Sequence, residues 1–105
     1  MNKFKISQIQ FQAAYTPNLN AQLLKKYFLK TKIFKPDLIC TPECSNIITN
    51  DKKYLFNHST FQKDCPLIFE AKEFAKLHSV NIHLGSLLLK IEGKKKLVNR
   101  SILVD

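Results

Sequence analysis

The stretch KPDLICTPECSN, Lys35–Asn46, decides the fold of this chain. Its centre is an uninterrupted apolar run, Leu38–Cys40, which is typical of a short strand buried on both faces in a mainly parallel sheet. Pro42 ends this strand, because proline lacks the N–H that a sheet ladder requires. Glu43 therefore falls at the carboxyl end of the strand, where open α/β sheets bind their ligands.

A strand and a helix lead into this stretch. Phe4–Phe11 predicts the strand, and its alternation changes phase near Ser7, which indicates a bulge or burial on both faces. Apolar residues recur at helical spacing over Leu19–Lys32, and Asn18 is able to cap this amphipathic helix. Strand, helix and strand together form a βαβ unit.

A second helix and a hairpin follow. Cys44–Lys63 has no clean period and is predicted to be a long, largely irregular connection, which in compact domains is often a functional loop. Asp64 is the predicted N-cap of a helix with Pro66 in its first turn. Ile82–Lys90 and Leu97–Val104 read as the strands of a hairpin. The prediction is an α/β fold with about four strands and two helices.

The composition fits a single small domain over residues 1–105. A net charge of +9 is compatible with a basic nucleic-acid-binding module or an acidic membrane surface. However, Arg100 is the only arginine, and the lysines are spread along the chain apart from the run Lys94–Lys96. A solvated lysine-rich surface is therefore favoured over nucleic-acid binding, and no apolar run approaches the length of a membrane span.

The cysteine count is odd, and the N-terminus has no apolar segment typical of secretion, so a reducing, cytoplasmic setting is expected. Cys40 and Cys44, with Cys65, His78 and His83, offer zinc-ligand chemistry. A long loop separates them, and free cysteines usually behave as small buried hydrophobes. We therefore predict no metal and no other cofactor.

Four segments carry a family resemblance: Lys5–Phe11 with its glutamine Gln10, Asp37–Glu43, the small pair Gly85-Ser86, and Asn99–Asp105. In this order and spacing they resemble the N-terminal part of the nitrilase superfamily of carbon–nitrogen hydrolases. The resemblance covers essentially all of this chain but well under half of a usual family member. It implies part of a four-layer α-β-β-α sandwich.

The resemblance also implies a chemistry. Family members hydrolyse non-peptide carbon–nitrogen bonds with a cysteine nucleophile, a lysine that stabilises the oxyanion, and a glutamate general base. Only the glutamate has a matching position here, Glu43, because the family's lysine and cysteine lie beyond Asp105. The expectation is a truncated hydrolase-type fragment that is inactive alone.

Alternatives to this expectation remain open. One is a split amidase, in which a complementing chain supplies the lysine and cysteine and a small amide or nitrile becomes the substrate. A nucleophilic Cys44 beside Glu43 is disfavoured, because adjacent side chains on an extended backbone point to opposite faces. Gly85-Ser86 is interpreted as a close-packing requirement. An isolated piece of such a sandwich would leave a sheet edge and a sheet face uncovered, which predicts self-association or a partner.

Overall fold

A computed structural model describes residues 3–105. The strands are β1 Ile6–Gln8, β2 Leu38–Cys40, β3 Asn81–Lys90 and β4 Leu97–Val104, and the helices are α1 Pro17–Thr31, α2 Lys52–His58 and α3 Pro66–His78. Short 3-10 turns follow α1 and precede α3. The predicted absence of a secretory segment involves Met1 and Asn2, which lie outside the described residues. No helix within residues 3–105 has the length and apolar character needed to cross a membrane.

The four strands form one mixed sheet in the order β1-β2-β3-β4. β1, β2 and β3 are parallel, and β4 returns antiparallel to β3. In this register Ile39 of β2 lies opposite Ser7 of β1 and Ile82 of β3. The predicted α/β architecture, with a βαβ unit followed by a helix and a hairpin, is confirmed.

The core lies between the sheet and the pair of helices α1 and α3. Leu24 and Phe28 of α1 and Leu67 of α3 are almost completely buried in one cluster with Ile39 and Ile82. The rings of Phe28 and Phe74 meet at 5.2 Å, which joins the two helices. The apolar stripe predicted for each of these helices therefore covers one sheet face.

The first two elements of the βαβ unit, β1 and α1, differ from the sequence prediction. β1 is shorter than Phe4–Phe11, and among residues 3–105 it pairs with β2 alone, at the edge of the sheet. Phe4 and Ile6 are 66% and 54% exposed, and Ile6 lies on the sheet face that the helices leave uncovered. Helix α1 begins at Pro17 and not at Leu19. Its cap is Thr16, whose Oγ1 accepts a hydrogen bond from the Leu19 N–H at 3.3 Å, and not Asn18. Pro17 fits the first helical position, because an N–H group there would have no intrahelical partner and proline lacks this group.

The connection after β2 is more ordered than predicted. It contains α2, whose N-cap Asp51 accepts a hydrogen bond from the Tyr54 N–H at 3.0 Å. No residue of this short helix is fully buried, so it lacks the apolar period that reveals α1. Residues 3–105 therefore contain three α-helices where two helices were predicted. The N-cap of α3 is Cys65 and not Asp64, and no side chain bonds to the helix there.

The hairpin matches its prediction closely. β4 has the predicted bounds, and β3 begins one residue earlier, at Asn81. Gly93 turns the chain between the strands with φ of 76°, a conformation that glycine adopts without steric cost. The register shifts between Leu84 and Leu87, which marks a bulge in β3 beside the end of β2.

Candidate active site at the carboxyl end of the sheet

Glu43 lies in a turn immediately beyond the carboxyl end of β2, as the sequence predicts. The ladder from β2 continues through Thr41, whose N–H donates to the His83 carbonyl oxygen of β3 at 3.0 Å. Glu43 and Cys44 then form the turn, and Cys44 has φ of 51°. The Glu43 side chain is exposed to solvent at the carboxyl end of the sheet.

Hydrogen bonds to β3 hold this turn on both sides of Glu43. Before it, the Thr41 Oγ1 accepts from the Gly85 N–H at 3.1 Å. After it, the Cys44 N–H donates to the Ser86 Oγ at 2.8 Å, and the Ser45 N–H donates to the Ser86 carbonyl oxygen at 3.2 Å. Glu43 is therefore carried on a short segment whose two ends are fixed to the same strand.

Gly85 permits the close approach of the two segments. A Cβ atom at this position would collide with the Thr41 carbonyl oxygen and would lie 2.9 Å from the Pro42 carbonyl oxygen. Both obstacles are backbone atoms, which cannot rotate away as a side chain can. The interpretation of Gly85 as a close-packing residue agrees with this geometry, and Ser86 adds hydrogen bonds that the sequence did not indicate.

A buried amide extends the attachment. Asn46 is fully buried, and its side chain donates to the Leu88 carbonyl oxygen at 2.8 Å and accepts from the Leu88 N–H at 3.0 Å. The backbone carbonyl oxygen of Asn46 accepts a hydrogen bond from the Asn20 Nδ2 of α1 at 2.8 Å. Asn20, also fully buried, completes the network with two hydrogen bonds to the Ala14 backbone. The segment after Glu43 is thus tied to both β3 and α1.

The three cysteines have different surroundings. Cys65 is buried at the start of α3, and burial raises the pKa of its thiol above the ordinary value, which keeps it protonated and unreactive. Cys40 lies within β2 in register with Gln8 and His83. Cys44 is half-buried beside Glu43, and the backbone there is a turn and not extended. The argument against a nucleophilic Cys44 from an extended backbone is therefore wrong.

His83 and His78 contact side chains outside the Glu43 turn. His83 Nε2 lies 2.6 Å from the Ser101 Oγ, and the His78 ring packs on Phe74 with centroids 4.3 Å apart. Among residues 3–105, no group of three or more His, Cys, Asp or Glu side chains is placed to hold a metal ion. The candidate site therefore consists of an exposed carboxylate on a turn that hydrogen bonds hold against β3.

Solved structures of CN-hydrolase superfamily proteins and amidases share the fold of this chain. Solved structures similar to it include the NitFhit protein of C. elegans, with a TM-score of 0.79 and 20% identity over 97% of this chain and 24% of that one. A CN-hydrolase superfamily protein of Xanthomonas campestris gives a TM-score of 0.78 and 19% identity, covering 99% of this chain and 37% of that one.

An amidase from Nesterenkonia gives a TM-score of 0.76 and 15% identity, covering 98% of this chain and 40% of that one. Its structure records acrylamide added to its active site cysteine. No protein-family model and no curated protein matches this sequence. The likeness establishes the fold, and this chain spans well under half the length of each of these three proteins.

Proposed function

We propose that this chain is the N-terminal part of a carbon–nitrogen hydrolase domain and that Glu43 is its general base. The observation that supports this most is the position of Glu43 on a turn clamped to β3, within a fold shared with amidases. General bases work when they are held at a fixed distance from the group that they deprotonate. A carboxylate on a freely moving loop would not meet that requirement.

In such a hydrolase the carboxylate takes the proton of a cysteine thiol as the sulfur attacks an amide or nitrile carbon. With an amide, the carboxyl group passes this proton to the departing nitrogen, so that ammonia leaves and a thioester remains. The regenerated carboxylate then activates the water that hydrolyses the thioester. A lysine cation stabilises the negative oxygen that develops during the attack. This chain contributes Glu43 to that set, and we expect the lysine and the nucleophilic cysteine to come from outside residues 1–105.

It follows that the chain alone does not hydrolyse amides. Purified protein incubated with glutamine or a carbamoyl compound should release no more ammonia than buffer. Clear turnover that Glu43→Gln abolishes and Glu92→Gln retains would contradict this expectation. Glu92 is a matched control, because it is exposed in the hairpin turn. If turnover is found, Cys44→Ala in the same assay identifies whether Cys44 is the nucleophile.

A split amidase, completed by a separate chain, is the second candidate. It is favoured by the sheet face opposite the helices, which carries the exposed side chains of Ile6 and Leu103. Exposed apolar surface of this kind is typical of a binding face. Co-expression with the products of adjacent reading frames should yield a stable complex that releases ammonia from amides. Absence of both complex and turnover would count against this candidate.

A further inference from the structure

Two exposed apolar side chains, Ile33 and Phe34, form a tip after helix α1. They lie in the 3-10 turn Lys32–Phe34, and no residue of this turn is buried. Ile33 is 81% exposed, more than any other large hydrophobic side chain among residues 3–105, and Phe34 is 61% exposed. Lys35 then turns the chain with φ of 47°. The tip therefore contributes nothing to the core, and the fold of the chain does not explain it.

The tip lies at the opposite end of the sheet from Glu43. Helix α1 leads from the carboxyl end of β1 back to the amino end of β2, so its last turn and the tip lie near the amino ends of the parallel strands. Hydrogen bonds join the two strands at this end. The Lys5 N–H donates to the Asp37 Oδ2 at 2.8 Å, and the Asp37 N–H donates to the Lys5 carbonyl oxygen at 2.8 Å.

Positive charge is concentrated around the tip. The first acidic residue of the chain is Asp37, and seven lysines precede it. Helix α3 ends beside the tip, because Lys32 and Lys35 line one hollow together with His78 and Ser79. Asp37 and Asp105 are at this end of the sheet too, but the lysines outnumber them. These lysines are Lys5, Lys30, Lys32, Lys35 and Lys76.

An anionic lipid surface is the partner whose chemistry fits both the lysines and the tip. Anionic headgroups attract lysine over a range of about 8 Å at physiological ionic strength, and apolar side chains enter the boundary between headgroups and acyl chains. A nucleic acid fits less well. Ile33 has no ring to stack on a base, and the only arginine, Arg100, lies in the hairpin opposite Leu87.

We propose that the tip Ile33-Phe34 and the lysines around it are a docking site for an anionic lipid bilayer. The lysines hold the protein at the headgroups, and the two apolar side chains insert between them. The site binds the membrane surface and does not span the membrane. This assignment is independent of the hydrolase proposal, because it leaves the uncovered sheet face and the Glu43 turn free.

The first test is co-sedimentation of the full chain with vesicles of phosphatidylcholine mixed with phosphatidylserine, and with vesicles of phosphatidylcholine alone. Wild-type protein should bind the anionic vesicles only, and less as salt is raised. Lys32→Gln with Lys35→Gln should weaken this binding about 25-fold, since each lysine near an anionic surface contributes about fivefold. Lys95→Gln with Lys96→Gln is the control, because it lowers the net charge equally in the hairpin turn and should leave binding nearly unchanged.

The second test removes the apolar tip. Ile33→Gln with Phe34→Gln should weaken binding to the anionic vesicles at least about tenfold, because two apolar side chains no longer leave water. Leu19→Gln with Phe69→Gln is the matched control and should bind as wild type does. Leu19 and Phe69 are 46% and 60% exposed in the first turns of α1 and α3, at the Glu43 end of the sheet. Circular dichroism checks that each variant is folded.

Three results would overturn the proposal. One is a wild-type chain that does not sediment with the anionic vesicles even at low salt. Another is a folded tip variant, or a folded Lys32 and Lys35 variant, that binds no more weakly than its control, which would mean adsorption by net charge alone. The third is a single-stranded oligonucleotide that binds more tightly than the vesicles do and is released by the tip variant, which would make nucleic acid the partner.

Discussion

The two faces of the sheet are buried to different degrees. On the helix-covered face Ile39, Ile82 and Leu84 are completely buried, whereas on the opposite face Ile6 and Leu103 are more than half exposed. The difference shows where the stability of the chain originates: burial against α1 and α3 supplies it, and the other face contributes little. Glu43 lies in the turn at the carboxyl end of β2, and hydrogen bonds to β3 hold this turn in place.

The comparison predicts its largest effect for matched leucines on the two faces of the hairpin. Leu84→Ala should lower the free energy of unfolding by about 2–5 kcal/mol, because it opens a cavity in the core. Leu103→Ala, at an exposed site, should change it by less than about 0.5 kcal/mol. Urea unfolding followed by circular dichroism measures both. Equal losses for the two variants would show that the exposed face is covered in solution.

Gly85→Ala should have the next largest effect, because the added Cβ meets the Thr41 and Pro42 carbonyl oxygens. Separating the site turn from β3 should cost about 1–3 kcal/mol, in the range of overpacked cores. Gly93→Ala is the control, since its Cβ would meet no atom within 4 Å, although its φ of 76° carries a strain of about 1 kcal/mol. A Gly85→Ala variant as stable as wild type would mean that the turn is not pressed against β3.

Asn46→Ala removes both side-chain hydrogen bonds to Leu88 and leaves buried polar groups unpaired. We expect a loss of about 1–3 kcal/mol. Hydrogen exchange should also become faster at the Leu88 and Cys44 amides, because the attachment of the turn is weakened. The conservative control Asn50→Ala, at an exposed position of the same connection, should alter neither quantity. Unchanged hydrogen exchange at the Leu88 and Cys44 amides of Asn46→Ala would contradict the conclusion that Asn46 holds the Glu43 turn on β3.

The smallest expected effect concerns Cys65. Burial raises its pKa above the ordinary value of 9.0, so the unfolded chain releases this proton at lower pH than the folded chain does. The free energy of unfolding should therefore fall as pH rises past that ordinary value, and it should be insensitive to this group below it. Iodoacetamide at pH near 8 should label Cys40 and Cys44 before Cys65, as mass spectrometry of the native protein would show. Early labelling of Cys65 would contradict its burial.

Much of the framework is predictable because it rests on strong local signals. The apolar run Leu38–Cys40 with Pro42 after it defines β2 and the place of Glu43, and helical periodicity defines α1 and α3. The turn at Gly93 fixes the hairpin. These features persist in the fold because each is consistent with the packing around it.

The errors occur where tertiary structure decides. β1 lies at the edge of the described sheet with Ile6 on its uncovered face, and an alternating pattern reveals neither the strand order nor which face is covered. α2 buries no residue completely and so leaves no periodic trace. Asn20 and Asn46 are typical loop or surface residues by composition, yet both are fully buried because each finds partners across the fold. Only a long-range pairing signal would have identified them.

The role of Glu43 is tested most directly in a completed enzyme. This chain is combined with a lysine- and cysteine-bearing remainder of a related amidase, and ammonia release is measured for wild type, Glu43→Gln and Glu92→Gln. We expect Glu43→Gln to lower the turnover rate by about 10²–10⁴-fold, the usual contribution of a general base, with Glu92→Gln unchanged. Full activity in the Glu43→Gln complex would contradict the assignment of Glu43 as the base.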